Sequence, residues 1–236
     1  MTEHLDRRTH STTRRPQPRG LRTRAKILAA AATRFDTEGY SLASINDILA
    51  GAETTKGAMY FHFASKEAMA QQLASDWSTA VHKAFSAAAG EPLIQQMTTV
   101  FRSLARQLES DTNLRAGLKL TLEPSIDGAH QSYMQWVDET SELVDRANEA
   151  GDISDTDAAH RLAWNLCAGF TGAVQASAVL REDVNLSTRV EDVLDAHISA
   201  IAAPARNHHR IRDLGDAIRN TKLATELIIT AGDPCL

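Results

Sequence analysis

The sequence predicts an all-α protein, and three observations support this class. The composition is rich in Ala, the best helix former, whereas aromatic residues make up only 5% and β-branched residues are sparse. Apolar residues recur at the helical spacing i, i+3, i+4 and i+7 in stretch after stretch. Capping residues and glycines separate these stretches. With 236 residues, 43% of them apolar, the chain is long enough for one large domain or two small ones.

The N-terminal segment, residues 1–20, is rich in Thr, Arg, Ser and Pro, a composition that predicts disorder. Residues 1–26 hold eight Lys or Arg and two acidic residues, about +6, although the whole chain has a net charge of −5. A nucleic acid would therefore meet the N-terminal end. The segment is either a solvated tail or a basic arm in which Arg14, Arg15 and Arg19 hold DNA phosphates or reach into a groove.

Three helical patterns follow the arm and predict a helix-turn-helix domain at residues 21–66. The first helix ends at Gly39, a C′ glycine. The second starts at Ser44, whose hydroxyl can cap it in an S-x-x-D pattern. The third starts near Thr54 or Thr55 and lasts about two turns. One long and two short helices joined by tight turns are typical of this domain.

The stretch ETTKGAMYFHFASKEA, residues 53–68, has the features of a short helix that faces a phosphate backbone. Its free N-terminal amides and positive dipole end suit a phosphate. Lys56 is expected to read base edges, whereas Tyr60 and His62 offer donors to phosphate oxygens. The residues predicted to contact DNA are the N-cap of the second helix and polar or small residues of this stretch: Ser44, Thr54, Thr55, Lys56, Gly57, Tyr60, His62 and Lys66.

Ordinary packing is a second interpretation of the same stretch. The aromatic side chains would then be core residues of a three-helix domain, and Lys56 and Lys66 would be solvated. We expect Phe61 and Phe63 to pack in the core in this way. For Lys56, Tyr60 and Lys66, the combination of a capped short helix, a lysine beside a glycine and ring donors favours DNA contact.

Beyond Ser65, which can cap a long fourth helix, five further helices are predicted. They span residues 92–109, 112–122, 130–150, 156–181 and 187–203. The last two are strongly apolar and predict a dimer seam, in which two copies form a four-helix bundle; ordinary core packing is the alternative. Residues 162–180 carry no charge and have the length of a membrane span, but their polar side chains favour a helix buried on both faces, so no membrane contact is expected.

The C-terminal domain, residues 67–204, is predicted to bind a ligand and to dimerise, and residues 205–236 form an extension with one more amphipathic pattern. A pocket in a helical bundle has apolar walls and a few polar groups that orient the ligand. Core packing is the alternative for each tryptophan, and we expect it for Trp164. The predicted pocket residues are Trp77, Val81, Leu118, Trp136, Thr140, Thr171 and Gln175.

Enzymatic chemistry is not expected, and neither is a metal or a cofactor. Asp155, Asp157 and His160 are more simply a charged first helix turn, and the sequence has no phosphate loop, GxGxxG motif or set of nucleophile and base. Cys167 and Cys235 do not have the spacing of a disulfide framework, and no apolar leader is present. A cytoplasmic location is therefore expected.

The stretch TTKGAMYFHFASKE resembles the recognition-helix signature of the TetR family of dimeric transcriptional repressors. The usual form is Thr or Ser, Lys-Gly, two residues, Tyr, one residue, His-Phe and a Ser/Ala-Lys-Glu helix start. The resemblance covers residues 21–70 and implies a helix-turn-helix domain joined by a long helix to a ligand-binding and dimerisation domain. It implies a homodimer on double-stranded DNA with a pseudo-palindromic operator. One departure is Glu53, where the family usually has Gly; the left-handed turn there is more costly for Glu.

Two weaker features resemble the γ-butyrolactone-type autoregulator receptors of actinobacteria: LRAGLKL at residues 114–120, and the lone Trp136 in the next helix. This subgroup implies a small signalling ligand, a butyrolactone, butenolide or furan, and control of antibiotic biosynthesis genes. In the subgroup a Trp like Trp136 closes over the ligand, and a hydroxyl like that of Thr171 binds its oxygen. A drug-sensing efflux repressor and a DNA-binding dimer with no ligand are the alternatives.

Overall fold

The computed structural model describes residues 18–153, 156–180 and 185–202. Within these ranges the chain has nine α-helices and no strand, which confirms the all-α class. The five C-terminal helices begin and end within one residue of the predicted bounds. The helices are α1 Pro18–Glu38, α2 Ile45–Gly51, α3 Lys56–His62, α4 Lys66–Ala88, α5 Leu93–Ser110, α6 Thr112–Thr121, α7 His130–Glu149, α8 Thr156–Leu180 and α9 Leu186–Ala202.

Helix α1 begins at Pro18, three residues before the predicted start. Proline suits the first helical position, because its missing N–H would have no partner there and its φ is already helical. Arg19 therefore lies in the first turn of α1, where its carbonyl accepts a hydrogen bond from Thr23 Oγ1 at 3.1 Å. Arg14, Arg15 and the C-terminal extension lie outside the described residues, and their roles stay predictions.

The predicted helix starts are confirmed by their capping geometry. Each of Ser44, Thr55 and Ser65 accepts a hydrogen bond from the amide three residues later, at 3.0–3.2 Å. Gly39 ends α1 with φ +81°, a left-handed conformation that only glycine adopts readily. The helix-turn-helix segment is thus defined by local side-chain to backbone contacts.

The described residues form two compact units. The first contains the residues up to Asp76 together with Thr112–Ala129, and the second contains Trp77–Asp111 and the residues from His130 onward. Helix α4 therefore contributes to both units. Helix α6 belongs to the first, although the sequence pattern placed it in the ligand-binding domain.

The core of the first unit explains the position of α6. Its apolar residues Ala116 and Leu120 are buried in the same cluster as Ile27, Phe35 and Met69 of α1 and α4. Helical periodicity predicts which face of α6 is apolar, but it does not predict which helix covers that face. The functional boundary at residue 66 stays a prediction.

The second unit is a bundle of α5, α7, α8, α9 and the C-terminal half of α4. Helices α8 and α9 approach closely, because a Cβ atom on Gly169 would lie only 2.7 Å from Val193 Cγ1. In the single chain α8 has one exposed side, because Trp164, Val179 and Leu180 are 49%, 75% and 57% exposed. No helix within the described residues is both long and apolar enough to cross a membrane.

Candidate DNA-contacting helix and ligand site

Helix α3 has one buried face and one exposed face. Met59 and Phe63 are 0% and 4% exposed and hold the helix on the core. Lys56 and Tyr60, one turn apart, lie on the exposed side, with Lys56 Nζ 6.0 Å from the centre of the Tyr60 ring. A Cβ atom on Gly57 would meet nothing within 4 Å, so this part of the exposed face is bare.

Four of the predicted DNA contacts share this exposed face: Thr55, Lys56, Gly57 and Tyr60. Thr54 is half-buried and its amide donates to the Leu49 carbonyl at 3.1 Å. Ser44 and His62 are also half-buried. Contact of each residue with DNA stays a prediction.

Phe61 lies on the exposed side of α3, and its predicted place in the core is wrong. It is 83% exposed and makes an edge contact with the His62 ring at 5.0 Å between centroids. A helix of seven residues has one narrow buried face, and Met59 and Phe63 occupy it. Phe61 lies between them in sequence and is therefore turned outward.

Lys66 makes contacts within the first unit that the sequence did not predict. Its Nζ donates to the carbonyls of Tyr40 at 2.8 Å and Ala43 at 3.0 Å, and it lies 4.3 Å from the centre of the Tyr40 ring. Two of its three N–H donors thus hold the turn between α1 and α2 to the start of α4. A phosphate contact would use the third.

Glu53, in the turn between α2 and α3, has φ +50° and is the one non-glycine residue with positive φ in the described ranges. Its carboxylate lies 3.9 Å from Lys26 Nζ, and its side chain is 84% exposed. An exposed pair at this distance contributes about 0–1 kcal/mol. The left-handed conformation costs a non-glycine residue about 1–2 kcal/mol, so this turn is strained.

Five aromatic residues pack together in the second unit. Trp136 is at the centre, with ring centroids 5.3 Å from Trp77, 5.6 Å from Phe101, 5.6 Å from Tyr133 and 5.3 Å from Phe170. Trp77 and Trp136, both predicted pocket residues, are 0% exposed. The other three were missed, although Tyr133 lies one turn from Trp136 on α7 and Phe170 directly precedes Thr171 on α8.

The two tryptophan indoles have unusual polar surroundings. Neither Trp77 Nε1 nor Trp136 Nε1 has a hydrogen-bond partner among the described residues, although both atoms are buried. A buried donor without a partner costs about 1–3 kcal/mol, and a neighbouring ring face returns only about 0.5–1 kcal/mol. Unpartnered donors inside an aromatic cluster are candidates for orienting a ligand that brings acceptor atoms.

Two threonine hydroxyls are buried in the same unit. Thr140 Oγ1 donates to the Trp136 carbonyl and Thr171 Oγ1 to the Cys167 carbonyl, both at 2.8 Å. Thr140 Oγ1 also lies 3.6 Å from Cys167 Sγ. Burial raises the pKa of Tyr133, and a hydrogen bond to Thr171 lowers it. Burial also raises the pKa of Cys167, to about 12.

The other predicted pocket residues lie in different surroundings. Val81, one turn after Trp77 on α4, is buried in the second unit. Gln175 is exposed on α8. Leu118 is buried but belongs to the first unit. Their roles in ligand binding stay predictions, whereas the expected core packing of Trp164 is wrong, because this side chain is half-exposed.

No group of three His, Cys, Asp or Glu side chains with metal-binding geometry occurs among the described residues. The charged cluster that was set aside as an enzymatic alternative, Asp155, Asp157 and His160, lies outside the described side chains. The two features that stand out are therefore the exposed face of α3 and the aromatic cluster.

Comparison with known proteins shows the family of this chain. Residues 27–73 match the family described as bacterial regulatory proteins, tetR family. The A-factor receptor protein of Streptomyces griseus is 32% identical over 188 residues, which cover 80% of this chain and 67% of that protein.

Solved structures give the same result. A full-length TylP, a TetR regulator from Streptomyces fradiae, has a TM-score of 0.61 at 30% identity and covers 79% of this chain and 90% of its own. A γ-butyrolactone receptor (ArpA-like protein) has a TM-score of 0.58 at 27% identity. The match covers 78% of this chain and 99% of the receptor. The chain therefore belongs to the TetR family of bacterial transcriptional regulators and resembles the γ-butyrolactone receptors within it.

Proposed function

We propose that this protein is a homodimeric repressor that leaves its operator when a small signalling molecule of the butyrolactone, butenolide or furan type binds. The genes under its control are proposed to be those of antibiotic biosynthesis, which the resemblance to the γ-butyrolactone-type receptors implies. The single observation that carries the ligand part is the pair of unpartnered indole donors at the aromatic cluster. The DNA part is supported by the exposed face of α3 and by the family match.

Helix α3 is proposed to enter the major groove. Lys56 would donate to base edges, and Tyr60 and Thr55 would fix the helix on phosphates. In a two-fold dimer the second α3 would read a half-site about one helical turn away or slightly more, so the operator is expected to be pseudo-palindromic.

The dimer is proposed to form through α8 and α9. The exposed side of α8 carries a mainly apolar strip with small residues at its centre: Trp164, Ala168, Gly172, Gln175 and Val179. Small residues allow two helices to approach closely, and a two-fold axis would pair this strip with itself. Burial of Trp164 and Val179 in this way would remove two large apolar groups from water.

Release is proposed to run through α4, which carries Lys66 in the first unit and Trp77 and Val81 in the second. A ligand that moves α4 would change the spacing of the two α3 helices. A coupling free energy of about 1–3 kcal/mol would weaken operator binding about 5- to 150-fold.

Two alternatives remain within the family. A drug-sensing efflux repressor would bind lipophilic cations, which aromatic ring faces attract, whereas the unpartnered N–H donors of Trp77 and Trp136 are satisfied only by a ligand that brings acceptor atoms. In a DNA-binding dimer with no ligand, the two buried N–H donors would stay without a hydrogen-bond partner. The indole donors therefore favour a ligand with acceptor oxygens.

The DNA part is tested with an operator selected from random duplexes by rounds of binding. Lys56→Ala should abolish specific binding in fluorescence anisotropy while the dimer and its melting temperature stay unchanged. Lys83→Ala, an exposed lysine on the second half of α4, is the matched control and should bind as the wild type does. Unchanged affinity in Lys56→Ala would contradict the assignment of α3 as the reading helix.

The ligand part is tested by adding a synthetic long-chain γ-butyrolactone to the operator complex. The lactone should release the wild type, whereas Trp136→Ala should bind the operator and stay bound. A lipophilic cation such as tetraphenylphosphonium should release neither protein. Release by the cation alone would support the efflux-repressor alternative, and the absence of release by any lactone or culture extract would support the dimer with no ligand.

A further inference from the structure

Phe61 on α3 is an apolar ring that is turned away from the core. Its side chain is 83% exposed, although phenylalanine is among the residues most often buried. We propose that Phe61 reads the operator sequence, with its ring packed on the C5-methyl group of a thymine in each half-site. This inference rests on the proposed entry of α3 into the major groove and adds a residue to the surface that reads the bases.

The position of Phe61 on α3 places it at the centre of the exposed face. It follows Met59, which is 0% exposed, by two residues. It therefore lies about 200° further around the helix axis, nearly opposite the side that holds α3 on the core. Gly57 lies one turn earlier on the same side as Phe61, and a Cβ atom there would meet nothing within 4 Å. Gly57 thus places no side chain between the ring and a base.

His62 supports the Phe61 ring from one side. The two rings meet edge to face at 83°, with 5.0 Å between their centroids. His62 in turn lies beside the first turns of α1, because a Cβ atom on Gly20 would be 3.9 Å from His62 Cε1. This contact restricts the Phe61 ring before DNA binds, so less side-chain entropy is lost on binding than for a free side chain.

The charges along this stretch suit DNA better than an apolar protein surface. Residues 54–66 contain Lys56, His62 and Lys66 and no Asp or Glu. Lysine is depleted at the centre of protein interfaces, whereas it favours approach to phosphates. A single exposed apolar side chain is common on protein surfaces, but Phe61 lies on the face that these charges bring to DNA.

A phenyl ring can read one feature of the major groove. It has no hydrogen-bond donor or acceptor, and its face is electron-rich, so it gains little from phosphates or from the polar edges of bases. The C5-methyl group of thymine is the apolar group that the major groove presents, and a Phe side chain can pack on it. Met59, the other large apolar side chain between Lys56 and His62 that lacks a polar atom at its tip, is fully buried and cannot make this contact.

The experiment uses the full chain and the operator selected from random duplexes. Deoxyuridine replaces the thymidines of one half-site one at a time, which removes the methyl group and keeps the base pair. At one position the wild type should bind the deoxyuridine duplex about fourfold more weakly in fluorescence anisotropy, the effect of one buried methyl group. Phe61→Ala should bind the two duplexes equally, whereas Phe61→Leu, which keeps an apolar side chain, should retain most of the difference.

Leu42→Ala is the matched control. Leu42 lies in the turn between α1 and α2 and is 79% exposed, almost as much as Phe61. This variant should distinguish the thymidine and deoxyuridine duplexes as the wild type does. Because both side chains are exposed, Phe61→Ala and Leu42→Ala should have the melting temperature of the wild type, and a lower value for Phe61→Ala would assign Phe61 a packing role and overturn the proposal.

The outcomes separate this inference from the proposed function. If Phe61→Ala keeps the fourfold difference while Lys56→Ala loses the operator, α3 still reads DNA and the thymine contact is overturned. If Phe61→Ala binds every duplex more weakly and no methyl group matters to the wild type, the ring contacts the sugar-phosphate backbone and the assignment is again wrong. If no operator can be selected with the wild type, the proposed function fails and this inference fails with it.

Discussion

Asp36 on α1 and Lys119 on α6 lie in direct contact, with 2.7 Å between Asp36 Oδ1 and Lys119 Nζ. The same Nζ donates to the Asp36 carbonyl at 2.8 Å, and Arg115 Nε lies 3.2 Å from the other carboxylate oxygen. These side chains are only 12–27% exposed. The basic residues of the LRAGLKL stretch thus hold α6 on α1, within the first unit.

Asp36→Asn should therefore destabilise the protein by about 1–3 kcal/mol, between the values for exposed and buried ion pairs. Urea unfolding measures this, with Asp138→Asn on the exposed side of α7 as a control that should change little. A double-mutant cycle with Lys119→Met isolates the pair. A coupling energy near zero would show that the contact adds nothing to the attachment of α6.

Lys66 and Lys56 should behave differently when each is replaced by Ala. Lys66 holds the Tyr40 and Ala43 carbonyls, so Lys66→Ala should lower the free energy of unfolding by about 1–3 kcal/mol, the cost of leaving charge-assisted hydrogen bonds unmade. Lys56→Ala should leave stability unchanged and affect only operator binding. Thermal melting beside anisotropy separates the two roles, and equal melting temperatures for both variants would contradict the positioning role of Lys66.

The starts and ends of the helices could be predicted from the sequence because they depend on local chemistry. Ser44, Thr55 and Ser65 each cap a helix with an amide three residues away, and Gly39 supplies the left-handed end of α1. These contacts need no knowledge of the rest of the chain. The recognition motif could be identified for the same reason, since its residues lie within sixteen positions.

Features that depend on distant segments could be predicted only in part. The apolar stripe of α6 does not say that α1 covers it, and the aromatic cluster brings together residues from α4, α5, α7 and α8. Phe61 was placed in the core because aromatic residues are usually buried. Met59 and Phe63 take the one buried face of this two-turn helix, so Phe61, which lies between them in sequence, is exposed.

Glu53→Gly should stabilise the turn before α3. The left-handed conformation costs Glu about 1–2 kcal/mol, and Gly adopts it without this cost. Because Gly also has more conformational freedom in the unfolded chain, part of the gain is lost. We therefore expect the free energy of unfolding to rise by about 0.5–1 kcal/mol. Operator affinity should also rise at low salt, because an acid near DNA is removed.

Glu53→Gln separates these two effects, since it removes the charge and keeps the strained backbone. Gln should raise affinity without raising the midpoint of urea unfolding. If Gly and Gln give the same unfolding midpoint, the backbone of Glu53 is not strained in solution.

The thiol of Cys167 should report whether the aromatic cluster opens. Burial raises its pKa to about 12, and Thr140 Oγ1 lies 3.6 Å from the sulfur. In the unfolded chain the thiol loses its proton near pH 8.5, whereas the native protein keeps it up to a higher pH. The stability that this proton contributes is therefore complete below about pH 8.5 and falls as pH rises towards 12.

Alkylation of Cys167 measures this protection. In a Cys235→Ser background, iodoacetamide at pH 8 should label the native protein at least about 100-fold more slowly than the urea-unfolded chain, because the native protein holds little thiolate. Mass spectrometry measures the labelling, and a native rate close to the unfolded one would mean that the cluster opens readily in the free protein.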